Sequence, residues 1–251
     1  HRDLHSFPTR RSSDLAEGVW ALWLEDRERQ AGRELRPPVD LVARVWYNSE
    51  MRSRNFLVPG LIAVNMTLIG ALLTAMVMAR EWERGTMEAL MVTPVSILEI
   101  LLGKLIPYFI MGMGGMALSV SMAVWVFTVP LRGSLWLLVL ISSVFLLVSL
   151  GIGLLISIVA RNQFVAGQVA IIVTFLPAFL LSGYIFDIAS MPRPVQIVTH
   201  IVAARYFIAI LQSSFLAGDV WAVVRPNLAA LVLMAVFFLT LCGLKSKKRL
   251  D

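Results

Sequence analysis

The chain has 251 residues, 58% hydrophobic and only 15% charged, with mean hydropathy +0.79, whereas soluble domains are about 45–50% apolar. Stretches 56–79, 105–131, 133–160, 162–186 and 226–244 contain no Asp, Glu, Lys or Arg and are apolar all round, which excludes a soluble helical core with one polar face. The formal charge of +6 comes with no basic, aromatic-interleaved face outside these stretches, so a nucleic-acid partner is excluded, and the single cysteine, Cys242, excludes an intrachain disulfide.

Residues 1–15 (HRDLHSFPTRRSSDL) lack the apolar core of a signal peptide and resemble translated adapter sequence, so they are expected to be non-native. From Ala16 to Leu35 the pattern is an amphipathic helix in which Val19, Trp20, Leu22, Trp23 and Leu24 precede the charged run EDRERQ, and Pro37-Pro38 stops it. VDLVARVWYN then alternates like a strand. Residues 16–55 therefore read as the C-terminal remnant of an α/β extracytoplasmic domain, too small to bury a core of its own.

The first span is expected over Phe56–Ala79, with Pro59 in its first turn, where the ring removes no helical bond. In the charged segment that follows, Thr86 can cap a short helix with Glu88 in its first turn, while Met87, Leu90 and Met91 share one face. Pro94 ends that helix, and Ser96 with Glu99 forms a capping box for the second span, 97–131. That span passes Lys104 at the interface and Pro107 at an expected kink, and reaches Pro130 at its far end. Tight turns at 132–134 and 161–163 bound a third span over 135–160.

The fourth span, 164–186, carries small residues every fourth position: Ala166, Ala170, Thr174, Ala178 and Ser182. Residues 187–219 are less apolar and are expected to hold one or two short re-entrant helices, followed by the fifth span, 220–244. The tail Lys245, Lys247, Lys248 and Arg249 places the C-terminus in the cytoplasm by the positive-inside rule. Segments 80–104 and 161–163 then also face the cytoplasm, whereas 132–134 and 187–219 face outward. Residues 16–55 would lie outside as well, so a preceding signal-anchor span is expected to be missing.

No catalytic constellation emerges. His200 has no carboxylate at helical spacing, and Gly103-Lys104 lacks the remainder of a phosphate loop, since Leu98 and Leu105 stand at the other required positions. Energy for active transport must then come from another polypeptide. The absence of mid-span charge argues against an ion channel and against a proton-coupled carrier. The 80–104 loop sets Glu81, Glu83, Glu88 and Glu99 against Arg80, Arg84 and Lys104, a balance that suits docking to a protein better than to anionic lipid.

EWERGTMEALMVTPVSILEILLGKLIPY resembles the cytoplasmic coupling segment of ABC type-2 permeases through Arg84-Gly85-Thr86, Glu88, Thr93-Pro94-Val95, Glu99 and Gly103-Lys104. VWYNSEMRSRNFLVPGL resembles the end of the family's extracytoplasmic domain. Residues 180–218 resemble its last outer loop, with Ser182-Gly183, Met191-Pro192 and Arg205-Tyr206-Phe207 in place. Ala203 stands where that family usually has proline, and Ser213 and Ala217 stand where basic residues are common.

The resemblance implies an all-α membrane protein of five transmembrane helices, with a short cytoplasmic coupling helix and an outer re-entrant loop. It implies domains at 16–55 and 56–251, and an N-terminally truncated, non-catalytic permease of the bacterial inner membrane. The coupling residues would be Glu81, Glu83, Arg84, Gly85, Thr86, Glu88, Thr93, Pro94, Glu99 and Lys104, and the outer-loop residues Ser182, Gly183, Pro192, Arg205 and Tyr206. The expected partners are an ABC ATP-binding subunit, which carries the ATP and magnesium, a second permease copy or paralogue, the bilayer, and a periplasmic adaptor as a further candidate. The implied activity is export of hydrophobic or amphipathic, drug-type substrates; export of a lipid or glycolipid-linked polymer, and a passive channel, are the alternatives.

Overall fold

A computed structural model describes residues 53–86 and 97–245, together with Val19, Trp20, Trp23 and Arg27. The chain divides into two units, His1–Val45 and Trp46–Asp251. In the first, the four described residues are helical and exposed, Trp20 stacks on Trp23 at 5.2 Å, and the Arg27 guanidinium lies 4.8 Å from the Trp23 ring centre. The expected strand at 39–48, the short helix after Thr86 with Glu88, Thr93 and Pro94, and the basic tail beyond Lys245 lie outside the described residues.

The second unit is all-helical among its described residues, and five of its helices are long and apolar enough to cross a membrane. Helix α1 runs through three continuous pieces: α-helical Ser53–Thr67, π-helical Leu68–Leu73 and α-helical Thr74–Glu83. It starts ahead of Phe56, so Pro59 falls in the second turn rather than the first, and its missing N–H removes one interior bond. It also continues past Ala79, since nothing breaks it until Gly85, which adopts φ +70°.

Helix α2, Ile97–Trp125, stops six residues short of the expected Leu131. Thr128 takes φ +50°, and Pro130 pushes Val129 out of the helical region, so the uncharged stretch finishes as a folded-back turn. Helix α3, Leu135–Ala160, and helix α7, Trp221–Lys245, lie where the sequence puts them. Helix α4 comprises Gln163–Ala170, a second π-helical piece Ile171–Phe175 and Leu176–Leu180. It ends six residues before Phe186, because Gly183 turns the chain at φ +86°. The expected short helices in the 187–219 loop are a 3-10 turn Ile188–Ser190, α5 (Arg193–Thr199) and α6 (Ala203–Leu216), the last two bent by 84°.

Helix α3 is the centre of the unit. Buried residues make up 61% of its most apolar window, against 17% for α2 and for α7, which therefore stand at the periphery. Phe145 on α3 stacks on Phe207 of α6 at 4.2 Å, both rings fully buried. All five small residues of the α4 stripe are buried. Ala166 and Ala170 pack with Ala75 and Ala79 of α1, so small side chains let the two helices approach closely. Gly60 of α1 receives the Tyr184 ring, which fills the space a Cβ would occupy.

Candidate functional site

The two feet of the undescribed 87–96 segment are tied together. Glu81, near the end of α1, and Lys104, in the second turn of α2, form an ion pair with side chains 30% and 19% exposed. Its partial exposure keeps its contribution to about 0.2–1 kcal/mol, so it works as a positional tie more than as a source of stability. Thr86 donates its hydroxyl back to the Glu81 carbonyl at 3.0 Å and so closes the end of α1. Arg84 and Gly85 form the turn between them, with N–H bonds to Arg80 O and Trp82 O, both 3.1 Å. Glu99 is exposed in the first turn of α2.

A third connection reaches α4. The exposed Glu83 carboxylate accepts from Gln163 N at 3.2 Å and Asn162 Nδ2 at 3.4 Å, which places a negative charge at the N-terminus of α4. Asn162 caps the same helix, accepting from Phe164 N at 3.0 Å and Val165 N at 3.1 Å. The Arg161 guanidinium lies 5.2 Å from the Trp82 ring centre. Residues 81–83 are thus held on one side by α2 and on the other by the α3–α4 turn. Replacing Asn162 by Ala should cost about 1 kcal/mol, the usual worth of an N-cap, read as a lower thermal midpoint in detergent; an unchanged midpoint would show that the cap is idle.

From the sequence, 161–163 is expected only as a turn. Asn162 ahead of an apolar run is a recognisable N-cap signal, but the reach of Glu83 and Trp82 across to it is non-local and leaves no trace in spacing.

At the other end, the predicted loop residues divide into two groups. Ser182 donates its hydroxyl to the Ala178 carbonyl, and Gly183 provides the turn that brings Tyr184 onto Gly60. Pro192 stands at the N-cap position of α5. Arg205 and Tyr206 hold the bend between α5 and α6. The Arg205 guanidinium donates to the buried Thr199 hydroxyl, lies 3.4 Å from Gln196 O and 3.0 Å from His200 Nδ1, and the Tyr206 hydroxyl donates to His200 O at 2.8 Å. His200 Nδ1 is also 2.9 Å from Gln196 O, and one nitrogen can serve only one of these two neighbours at a time. Asp219, a residue not singled out from the sequence beyond its charge, caps α3 from the far side of the chain. Its carboxylate accepts from Ser134 N at 3.0 and 3.1 Å, while Arg132 Nη1 donates to Leu216 O at 2.9 Å.

A family profile described as "ABC-2 family transporter protein" matches residues 21–244. The chain is 49% identical over 235 residues to "Probable multidrug ABC transporter permease YbhS" of Escherichia coli, covering 94% of this chain and 62% of that protein. It is 34% identical over 177 residues to "Probable multidrug ABC transporter permease YbhR" of the same organism, covering 70% and 48%. To "Inner membrane transport permease YhhJ" it is 29% identical over 216 residues, covering 84% and 57%. The chain therefore spans less than two thirds of the length of these relatives, and no solved structure matches it significantly.

Proposed function

The chain belongs to the ABC-2 family of transporter proteins, a multi-pass membrane protein, and from that premise we propose that it is the permease subunit of an ATP-driven exporter in the bacterial inner membrane. A separate ABC subunit binds ATP and magnesium and hydrolyses the nucleotide. A second permease copy or paralogue completes the pathway. The cargo is hydrophobic or amphipathic and of drug type, in keeping with the names of the two relatives called multidrug permeases. The charged end faces the cytoplasm, a reading supported by Lys245 at the end of the bundle's last helix and by Lys247, Lys248 and Arg249, which follow it in the sequence.

The observation that carries the coupling reading is the tied base of the 87–96 segment. Glu81–Lys104 joins its feet, and Glu83 joins it to α4, so a push on that segment reaches three spans together. A loose interfacial loop would dissipate such a push. Glu88 lies within the segment and is the acidic group to which an ATPase cleft would bind. Glu81 and Glu83 are taken up by partners within the chain and serve as its mounting.

In a purified complex with its ATP-binding subunit, Glu88→Lys is expected to abolish permease stimulation of ATP hydrolysis while the permease stays in the membrane. Asp187→Lys, at the opposite end, is expected to leave it unchanged. Stimulation that survives Glu88→Lys, or that is lost with Asp187→Lys, would remove the docking surface from the charged end.

A further inference from the structure

Between α1, α3, α4 and the α5–α6 bend lies a cavity of about 180 Å³. Its inner wall is buried: Thr67 and Ala71 of α1, Phe145 and Ser149 of α3, Thr174 and Ala178 of α4. Its rim is open, because Val173, Val198 and Ile201 are 54%, 49% and 72% exposed. We infer that this cavity is a binding site for one uncharged aromatic ring, entered between α4 and the α5–α6 bend.

Wall chemistry sets the class of ligand. No ionisable side chain lines the cavity. Two of its hydroxyls are already engaged with backbone, Thr67 with Ala63 O at 2.8 Å and Thr174 with Ala170 O at 2.6 Å. A charged or strongly hydrogen-bonding ligand would lose its hydration there with only the Ser149 hydroxyl to offer in return. The size is also restrictive. Drug-sized ligands need pockets of about 300–1,000 Å³, whereas an apolar cavity of about 150 Å³ stays dry and takes up benzene. A volume of 180 Å³ therefore holds one ring, with the rest of a larger molecule left at the rim.

The cavity is a product of the backbone as well as of small side chains. Both π-helical pieces contribute to it, Ala71 from Leu68–Leu73 and Val173 with Thr174 from Ile171–Phe175. Next to these pieces, toward the charged end, Ala75, Ala79, Ala166 and Ala170 bring α1 and α4 into contact. The contact gives way to the cavity where both helices adopt the wider π turn. Such turns recur at functional sites, and two of them facing one cavity is a built feature of this unit.

The test uses the whole chain in lipid nanodiscs, with fluorobenzene as probe followed by fluorine NMR against empty nanodiscs. The wild type should show a saturable bound component above the linear partition into lipid. Ala178→Phe, which fills the cavity from α4, should abolish that component, and so should Val198→Trp, which blocks the exposed rim without crowding the core. The second variant decides the matter if the first does not fold. A wild-type titration as linear as that of empty nanodiscs, a component that survives Val198→Trp, or displacement by hexane but not by benzene would overturn the inference. The measurement needs neither ATP nor a partner subunit, so its failure would leave the coupling reading untouched.

Discussion

Replacing Gly153 by Val is expected to cost about 3 kcal/mol, the upper part of the usual range for overpacking. A Cβ at this position would lie 2.4 Å from the Ala71 carbonyl oxygen and 3.0 Å from its Cα. Both are backbone atoms in the π-helical piece of α1, so no side chain can swing aside, and α3 and α1 would have to separate. Gly114, on exposed α2, has nothing within 4 Å of the same position. Gly114→Val should therefore stay within about 0.5 kcal/mol of the parent. Gly112 lies between these cases, since it meets only the flexible end of Leu146. Thermal unfolding of the three variants in one detergent gives the ranking, and a Gly153→Val protein that melts with the parent would show that α1 and α3 do not approach so closely.

Replacing Arg205 by Ala should cost about 2–3 kcal/mol, the upper part of the range for hydrogen bonds to a charged group. The guanidinium joins the last turn of α5 to the first turn of α6 across the 84° bend, and its loss leaves the fully buried Thr199 hydroxyl with only its bond to Gln196 O at 2.7 Å. Arg205→Lys should recover only part of this, because an ammonium is a point charge and cannot hold several acceptors in one plane. Because the bend also carries Val198 and Ile201, protease susceptibility between α5 and α6 should rise in Arg205→Ala. Unchanged cleavage together with an unchanged midpoint would mean that the bend is held by apolar packing alone.

The registers of α3 and α7 were legible because both are bounded by chemistry the sequence displays: a Gly-Ser turn and an Arg-Asn turn around α3, and lysines after α7. The second and fourth spans were overextended for one reason. Lack of charge reports that a stretch avoids water, whereas helix termination depends on backbone dihedrals, here Thr128 and Gly183 at positive φ and Pro130 constraining Val129. Pro59 was misplaced in the same way, because the charged and polar residues ahead of Phe56 are compatible with helix even though they lie outside the apolar run. The small-residue stripe of α4 was legible as a pattern, and burial of all five residues shows that it is packed.

At the charged end, the acidic and basic residues were visible in the sequence, but their partners were not. Glu81 with Lys104, Glu83 with the start of α4, and Arg161 with Trp82 each join residues distant along the chain. The α5–α6 bend shows the reverse: Arg205 and Tyr206 act on residues 196–200, close enough in sequence for a resemblance to point at them.

Composition alone decided that this is a protein of membrane-crossing helices, because long uncharged runs have only one favourable solvent. Only the folded chain decided which helix is central, where α1 and α4 widen into π turns, and that a cavity opens between them. Those outcomes depend on hydrogen-bond register and on packing between distant segments, and neither property is carried by the order of side chains along one helix.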